Sequence, residues 1–452
     1  MIQWIFSIVL TGALLFAVAA AITSFSERET RAGLLWILIC LIPPGMLILP
    51  FFTGNEVVEI VYMITGSLMM GFSLIMLLPL RKKNPMQPAE PKTQFHEADH
   101  VLSRRRLVPG TTRYEEYYHS HPSYRIPDDR ARAKPGLLSP GSRYYHPELF
   151  ASAQSNFEKT EQLHSFCRGE PENSPREWDV NGIYREMKKS LLRTGAHSVG
   201  ATPLKPYHLY SHRGRGERFN EPVENNHTHA IAFTVEMDHH AMQFAPDAPT
   251  VLESSARYLQ SGQMATHLAG FLRRMGYQAT AHIDGNYEVI CPTVAADAGL
   301  GTIGRMGLLI TPRLGPRVRI AVVTTNMPIP VRIHKPEPTM LDFCENCSKC
   351  ARVCPSQAIP YGPRKEHNGV KRWKIVSEQC YLFWTITGTD CGLCMIHCPF
   401  SHPDNWLHAF IRWGIKNNLV FRRFATKLDD VFYGKKPKIR SMPSRPATKK
   451  RI

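Results

Sequence analysis

The chain has 452 residues, which is enough for a membrane segment followed by one large or two ordinary soluble domains. Its 55 Lys and Arg residues outnumber its 38 Asp and Glu residues, so the formal net charge is +17. This charge favours anionic partners, and because the apolar segments come first we expect lipid headgroups rather than nucleic acid. Eight of the 11 cysteines lie between Cys344 and Cys398, a crowding that indicates a metal centre rather than a disulfide scaffold.

Three apolar segments begin the chain, at residues 2–23, 33–52 and 57–80. Each is long enough to cross about 30 Å of hydrocarbon as a helix, although Pro43-Pro44 should kink or break the second. Basic residues follow the third segment at 81–83, so the positive-inside rule predicts an outer N-terminus and a cytoplasmic catalytic domain. We therefore expect a multi-pass anchor in the inner (cytoplasmic) membrane. The first segment lacks a twin arginine and a cleavage-like site, so it is not interpreted as an export signal.

The remaining flanking segments carry weaker patterns. Residues 81–139 are rich in Pro, Arg, His and Tyr with little periodicity, which predicts a linker and an irregular lead-in, with disorder an equal alternative for 84–110. Residues 406–433 are expected to pack on the catalytic core. The final stretch, 434–452, is expected to be a disordered basic tail near anionic lipid.

The clustered cysteines form two sets with fixed spacing. The first reads Cys-x2-Cys-x2-Cys-x3-Cys-Pro and the second reads Cys-x10-Cys-x2-Cys-x3-Cys-Pro. Three closely spaced cysteines reach three corners of a cubane, whereas the cysteine before proline reaches the neighbouring cluster. The spacing predicts a ferredoxin-like module with two [4Fe–4S] clusters at 336–405, with zinc as the alternative, and His367-Asn368-Gly369 predicts a hairpin turn between the sets. The predicted ligands are Cys344, Cys347, Cys350 and Cys398 for one cluster and Cys354, Cys380, Cys391 and Cys394 for the other.

The central region, residues 140–335, mixes helical and strand patterns. Apolar residues recur at helical spacing in 181–195 and 254–277. The predicted strands are residues 229–237, 287–290 and 318–326. The pattern favours an α/β (α+β) core whose sheet is antiparallel or mixed.

The stretch AGLGTIGRMG places Gly299, Gly301 and Gly304 at the spacing of a dinucleotide-binding turn. A Rossmann turn follows a buried strand and is followed by an acid about 20 residues later. Here the preceding residues are helical or irregular, and the next strand ends in Thr324-Thr325-Asn326 without an acid. The motif therefore does not predict NAD binding.

Several motifs together resemble the reductive dehalogenase family. They are GAHSVGATPLKPYHLYS at 195–211, the Gly-Tyr, Gly-Asn and Cys-Pro elements at 276–292, the glycine motif with its following strand, both cysteine sets, and LDDVFYGKKP at 428–437. The resemblance covers residues 140–440. It implies a nitroreductase-like core that binds a corrinoid (cobalamin-type), beside a ferredoxin-like module with two cubanes. It also implies reductive removal of halide from an organohalide.

The resemblance assigns roles to individual residues. Tyr258 falls on the tyrosine that donates a proton to the carbon losing halide, and Arg305 falls on an arginine that lies beside the tyrosine and favours its phenolate. Asn286 falls on an asparagine of the substrate pocket, although the family's following Asp is Tyr287 here. The backbone of three glycines is expected to approach the corrinoid, namely Gly299, Gly301 and Gly304.

The resemblance also implies partners and leaves other function classes open. The expected partners are a small organohalide, the membrane and a low-potential electron donor (a quinol, a ferredoxin or a flavoprotein), with no nucleic acid. An epoxyqueuosine reductase-like enzyme acting on tRNA would share both cofactors and suit the basic charge. A membrane-bound ferredoxin-type carrier would hold iron and sulfide without cobalt. Respiratory members of the family usually carry a twin-arginine signal and use a separate anchor protein, and this chain departs from them in both respects.

Overall fold

A computed structural model describes residues 2–42, 56–80, 90–172, 178–331 and 338–436, together with 334, 439, 440 and 442. The chain divides into two compact units. One comprises residues 1–85 and 403–436, and the other comprises residues 86–402 and 437–452.

The helices and strands follow one another along the chain. Up to the first strand they are α1 (Ile2–Ser26), α2 (Thr30–Cys40), α3 (Glu56–Leu77), α4 (Val101–Arg104), α5 (Thr112–Ser120), α6 (Pro122–Arg132), α7 (Pro147–Gln162), α8 (Val180–Arg193) and β1 (Ala196–Pro203). The middle of the chain forms β2 (His229–Glu236), α9 (His239–Met242), α10 (Ala248–Arg274), β3 (Ala279–His282), α11 (Cys291–Asp297), β4 (Thr302–Ile303), β5 (Leu309–Ile310) and β6 (Val318–Thr325). The remainder forms α12 (Pro338–Cys347), α13 (Lys349–Arg352), β7 (Lys365–His367), β8 (Val370–Arg372), α14 (Ser377–Thr387), α15 (Leu393–Ile396), α16 (Trp406–Asn417) and α17 (Leu419–Tyr433).

Helix α1 is the one helix in the described part of the chain that is long and apolar enough to cross a membrane, over Ile8–Ser26. Helix α2 has 11 residues and is about 16 Å long, which is too short to span the hydrocarbon core. In α3 the apolar stretch is Gly66–Leu77, which is also short. The prediction of three spanning helices is therefore supported for the first segment only. Pro43-Pro44 and the basic run 81–83 lie outside the described residues.

Helices α16 and α17 belong to the same unit as the N-terminal helices. The Nε2 atom of His408 lies 3.1 Å from both carboxylate oxygens of Glu27, at the end of α1. Phe16 packs edge-on against Trp406 with 5.3 Å between ring centroids. Helix α16 thus packs against α1 within this unit, and the packing of residues 406–433 on the catalytic core stays a prediction.

A four-stranded antiparallel sheet in the order β1-β2-β6-β3 forms the centre of the larger unit. Along β2 the larger residues Ile231, Phe233 and Val235 join the core beneath α10. The alternate residues Ala230 and Ala232 join a second core beneath α11. Both faces of the sheet are thus covered by helices. An α/β architecture is confirmed, and the sheet is antiparallel in all its described strands.

The predicted strand at 287–290 forms only a single bridge, between Val289 and Leu209. Two backbone hydrogen bonds flank this bridge, from Tyr210 N–H to the Glu288 carbonyl at 2.9 Å and from Ile290 N–H to the His208 carbonyl at 2.7 Å. On the other edge the Glu288 N–H bonds to the ring of His282 at 3.2 Å, so no second strand pairs there. The strand prediction is therefore wrong at this segment.

The lead-in predicted as irregular contains α4, α5 and α6. Tyr117 and Tyr118 of α5 join a small separate core. Arg104 of α4 is fully buried and pairs with Asp128 of α6 at 2.6 Å. Because these aromatic and ionic contacts stabilise short helices without apolar periodicity, the sequence pattern does not reveal them.

The predicted turn between the two cysteine sets is confirmed. Strands β7 and β8 pair antiparallel, and Asn368 and Gly369 between them have φ of +54° and +79°. Two consecutive positive φ angles are typical of the type I′ turns that match the twist of a hairpin.

Gly200 of β1 offers a test of how closely the sheet packs on the glycine-motif segment. A Cβ atom at this position would lie 2.2 Å from the backbone oxygen of Ala298. We expect Gly200→Ala to lower the stability of the unit by about 1–3 kcal/mol, because the clashing atom is backbone. Thermal unfolding measures the change. Gly362→Ala is the matched control, since a Cβ there meets nothing within 4 Å; equal Tm values for both variants would contradict the packing.

Candidate active site and cysteine centres

Tyr258 lies in the third turn of α10. The side chain of Asp247 accepts a hydrogen bond from the backbone N–H of Ala248, and a proline follows in the first turn, which together define the start of the helix. Buried residues farther along α10 fix it against the sheet. Tyr258 is therefore held on a rigid element.

Three adjoining cavities meet at Tyr258 and Leu102, which line all of them. Their volumes are about 230, 260 and 270 Å³, and all three are partly open to solvent. Each alone is near the lower limit for a small ligand, whereas the joined cavities suit a larger one. Polar side chains in the walls include Arg215, Asp284, Tyr287, Arg319 and Asp390.

The guanidinium of Arg319 lies 4.5 Å from the centre of the Tyr258 ring. It also donates a hydrogen bond to Asp390 at 2.7 Å. Burial raises the pKa of Tyr258 to about 12, against the opposing effect of Arg319 and with a further rise from Asp284. The phenol therefore keeps its proton at neutral pH, whereas the family resemblance led us to expect a favoured phenolate.

The prediction that Arg305 lies beside Tyr258 is wrong. Arg305 is 1% exposed, and its guanidinium stacks on the ring of Trp373 at 4.6 Å. Its hydrogen bonds go to backbone carbonyls, those of Cys344, Glu345, Pro360, Tyr361 and Gly362. Since all three guanidinium nitrogens are used in this way, Arg305 joins two chain segments around the first cysteine set. Arg319 is the arginine that lies over the ring of Tyr258.

The three motif glycines are packed against the chain itself. A Cβ atom at Gly299 would lie 2.5 Å from the ring of His334, and Gly299 has φ of +79°. A Cβ atom at Gly301 or Gly304 would lie 2.3 or 2.2 Å from atoms of Ile310. The glycines thus allow the β4–β5 hairpin to close against its neighbours. The close approach of these backbone segments to a corrinoid stays a prediction.

Burial raises the pKa of the Cys167 thiol to about 11, against the opposing effect of the Asn286 side chain beside it. The cavity is lined instead by Asp284 and Tyr287, the neighbours of Asn286. The hydroxyl of Tyr287 lies 3.4 Å from Asp284 Oδ1, and burial raises the pKa of Tyr287 well above its usual value. The corner at which the sequence departs from the family therefore presents a tyrosine and a carboxylate in place of the predicted amide.

The cysteines converge into two groups. The first group lines a small cavity of about 20 Å³ and comprises Cys344, Cys347, Cys350 and Cys398. The second group lines the same cavity as Tyr258 and comprises Cys354, Cys380, Cys391 and Cys394. Each group takes three cysteines from one set and the cysteine before proline from the other. The structure brings together the same two groups that the spacing predicts.

The chemistry of these groups suits iron–sulfur clusters. Burial raises the pKa of the Cys350, Cys380 and Cys391 thiols to about 12, and neighbouring cysteines of each group raise one another's pKa. Four thiolates in a buried space are unfavourable without a cation, and a bound iron core would offset their charge.

The sequence patterns did not predict several of the residues that line the cavities. His100 and Leu102 come from the lead-in, where nothing in the composition predicts a site. Arg215 lies in a loop and pairs with Glu97 at 2.8 Å. Arg319 could have been found, because a charged residue inside an apolar strand has to be paired.

Replacing Arg305 tests its structural role. Arg305→Met keeps an apolar stem but leaves buried carbonyls unpaired, at a cost of about 1–3 kcal/mol each. We expect the iron content to fall to about half or less, because the carbonyls of the Cys344 segment lose their anchor. Iron and acid-labile sulfide are measured after anaerobic purification. Arg193→Met, at the exposed end of α8, is the control, and full iron content in Arg305→Met would contradict the role.

Comparison with known proteins links these groups to a family. A family model described as 4Fe-4S dicluster domain matches residues 343–402. The tetrachloroethene reductive dehalogenase of Sulfurospirillum multivorans is 34% identical over 225 residues, which are 48% of this chain and 44% of that protein. The tetrachloroethene reductive dehalogenase of Desulfitobacterium hafniense is 33% identical over 214 residues, which are 45% of this chain and 38% of that protein. The matches thus span less than half the length of these relatives.

A solved structure of a catabolic reductive dehalogenase aligns with a TM-score of 0.63 and 21% identity, over 79% of this chain and 49% of that one. A reductive dehalogenase structure described in terms of B12-dependent dehalogenation aligns with a TM-score of 0.62 and 22% identity, over 79% of this chain and 50% of that one. At this identity the alignments show a shared fold. The chain is thus similar to reductive dehalogenases in sequence, shares their fold and carries a 4Fe-4S dicluster domain.

Proposed function

We propose that the chain is a corrinoid-dependent reductive dehalogenase, which removes halide from a small organohalide with electrons relayed through two [4Fe–4S] clusters. The observation that carries this proposal is that Tyr258 and the second cysteine group line one cavity. A proton donor and a source of single electrons therefore face the same space. The sequence similarity to tetrachloroethene reductive dehalogenases supports the reaction class.

Each cysteine group would hold one [4Fe–4S] cluster. The first group lines its own small cavity, whereas the second borders the space around Tyr258. The first cluster would therefore accept electrons from outside, and the second would deliver them to the cavity. Asp390 directly precedes Cys391 of the second group and forms an ion pair with Arg319. This ion pair connects the second group to the residue that lies over Tyr258.

The joined cavities suit a large ligand such as a corrinoid, and apolar side chains such as Leu308 and Met395 line them. When bound, a corrinoid supplies a low-potential cobalt centre that can reduce a carbon–halogen bond. Leu102, Tyr258 and Arg319 would line its site together with these residues.

Tyr258 would supply the proton. Replacing a carbon–halogen bond by a carbon–hydrogen bond consumes two electrons and one proton and releases halide. The phenol holds its proton at neutral pH because burial raises its pKa. Once the proton is given, the phenolate faces the guanidinium of Arg319, which stabilises the negative charge until a proton returns from solvent.

Helix α1 would anchor the chain in the membrane. The basic run at 81–83 would place the catalytic domain on the cytoplasmic side of the inner membrane.

Metal analysis tests the proposal most directly. Protein purified without oxygen and reconstituted with cobalamin should contain about eight iron atoms and one corrinoid per chain, as two cubanes and one cofactor require. Iron without cobalt would contradict the proposal and favour a ferredoxin-type carrier. Salt-sensitive binding of tRNA, with no organohalide turnover, would favour an epoxyqueuosine reductase-like enzyme.

Tyr258→Phe tests the proton donor. The substitution removes one hydroxyl and keeps the ring beneath Arg319, so iron and corrinoid contents should not change. Organohalide turnover should fall about 100-fold or more, the scale of losing a general acid. Halide release with a chemical reductant measures the rate. Tyr184→Phe, on α8, is the matched control, and unchanged turnover in Tyr258→Phe would remove this residue from the reaction.

A further inference from the structure

The β7–β8 hairpin and its flanks carry a concentrated positive charge. Residues 361–374 contain five Lys or Arg and one Glu, a net charge of +4 with histidine neutral. Lys365, Lys371, Arg372 and Lys374 are all exposed. The mechanism proposed above uses none of these side chains.

The charges are arranged in a way that folding alone does not favour. Glu366 stands opposite Lys371, an ordinary compensating pair. Lys365 stands directly opposite Arg372 on the other face of the hairpin, and like charges in this position are destabilising. In the described part of the chain neither of these two cations has a carboxylate partner. This face therefore presents uncompensated positive charge to solvent.

The base of the hairpin is fastened to the first cysteine group. Gly362, which precedes β7, accepts hydrogen bonds from Arg305 and from the indole of Trp373, which follows β8. The same Arg305 binds the carbonyl of Cys344, and Arg364 pairs with Glu345 at 2.8 Å. The base of the hairpin is thus bound to helix α12, which carries Cys344 of the first group.

The tip of the hairpin is also held in place. The side-chain oxygen of Asn368 accepts hydrogen bonds from the backbone N–H and the hydroxyl of Thr93, both at 3.0 Å. Its amide donates to the carbonyl of Thr93 at 2.7 Å. A hairpin fixed at both ends presents its charges in one geometry, which suits recognition at little entropic cost.

We infer that this hairpin face is the docking surface for an acidic, low-potential, one-electron carrier protein of the flavodoxin or ferredoxin class. The inference rests on the proposed electron route, in which the first cluster accepts electrons from outside. Each encounter would oxidise the carrier by one electron and reduce the first cluster by one electron. Two encounters supply the electrons for one turnover.

Charge and chemistry both favour this occupant. A positive patch beside a buried redox centre speeds the encounter with a negatively charged carrier, and redox encounters need only a small interface. Tyr361, 59% exposed at the base of the hairpin, offers the aromatic contact that such interfaces favour. Among the first-group ligands Cys344, Cys350 and Cys398 are buried, whereas Cys347 is partly exposed, so an electron can enter beside it.

The test is stopped-flow reduction of the holoprotein by reduced flavodoxin, followed as bleaching of the iron–sulfur absorbance without organohalide. Lys365→Glu/Arg372→Glu should lower the second-order rate constant about tenfold or more at low salt and flatten its salt dependence. Lys365→Gln/Arg372→Gln should give an intermediate loss. Reduction by methyl viologen, which needs no docking surface, should change less than about twofold and shows that the clusters are intact. Lys188→Glu/Arg193→Glu reverses one exposed Lys and one exposed Arg on α8 as the matched control.

A flavodoxin rate that is unchanged in the hairpin variant, or lowered equally in the control variant, would overturn the inference. Weaker binding to vesicles of anionic phospholipid with an unchanged flavodoxin rate would also overturn it and would assign the face to lipid. The proposed dehalogenase function and the docking surface can be contradicted independently of each other. If organohalide turnover is absent but the rate effect is present, the docking surface stands without the dehalogenase. If turnover with methyl viologen is present but the rate effect is absent, the dehalogenase stands without this docking surface.

Discussion

The ion pair between Arg319 and Asp390 is the contact on which the site depends. Arg319 comes from a central strand of the sheet, and Asp390 directly precedes the cluster ligand Cys391. The two side chains are 12% and 14% exposed, and removing one partner of such a pair costs about 3–5 kcal/mol. The sheet therefore fixes the second cysteine group through this pair. The same guanidinium covers Tyr258, so one residue relates the electron source to the proton donor.

Local features were predictable from the sequence because each has a short-range physical cause. The cysteine spacing follows from the size of a cubane, and the structure gathers the eight cysteines into the two expected groups. The turn at Asn368-Gly369 follows from the residues that tolerate positive φ. Strands β2 and β6 follow from continuous apolar runs, which are typical of a sheet covered on both faces.

Long-range features were not predictable in the same way. Arg305 and Arg319 are both arginines near the same motif, and only the fold reveals which one reaches Tyr258. Asn286 and Tyr287 are neighbours whose side chains take different directions at a turn. Helix α16 contacts α1 across almost the whole chain, and no local pattern encodes such a pairing. In each case the decisive contact joins residues that the sequence separates or does not distinguish.

The helices of the lead-in bear on how a soluble form of the protein could be made. His100 and Leu102 form part of the cavity wall, and Arg104 pairs at 2.6 Å with Glu378 in the first turn of the helix that carries Cys380. Truncation at residue 140, where the family resemblance begins, would remove this wall and leave the half-buried carboxylate of Glu378 without its partner. A shortened protein that keeps residues 90–402 retains both, and it omits α16 together with the α1 helix that packs against it. The boundary for solubilisation is therefore set by the cavity and not by the extent of sequence similarity.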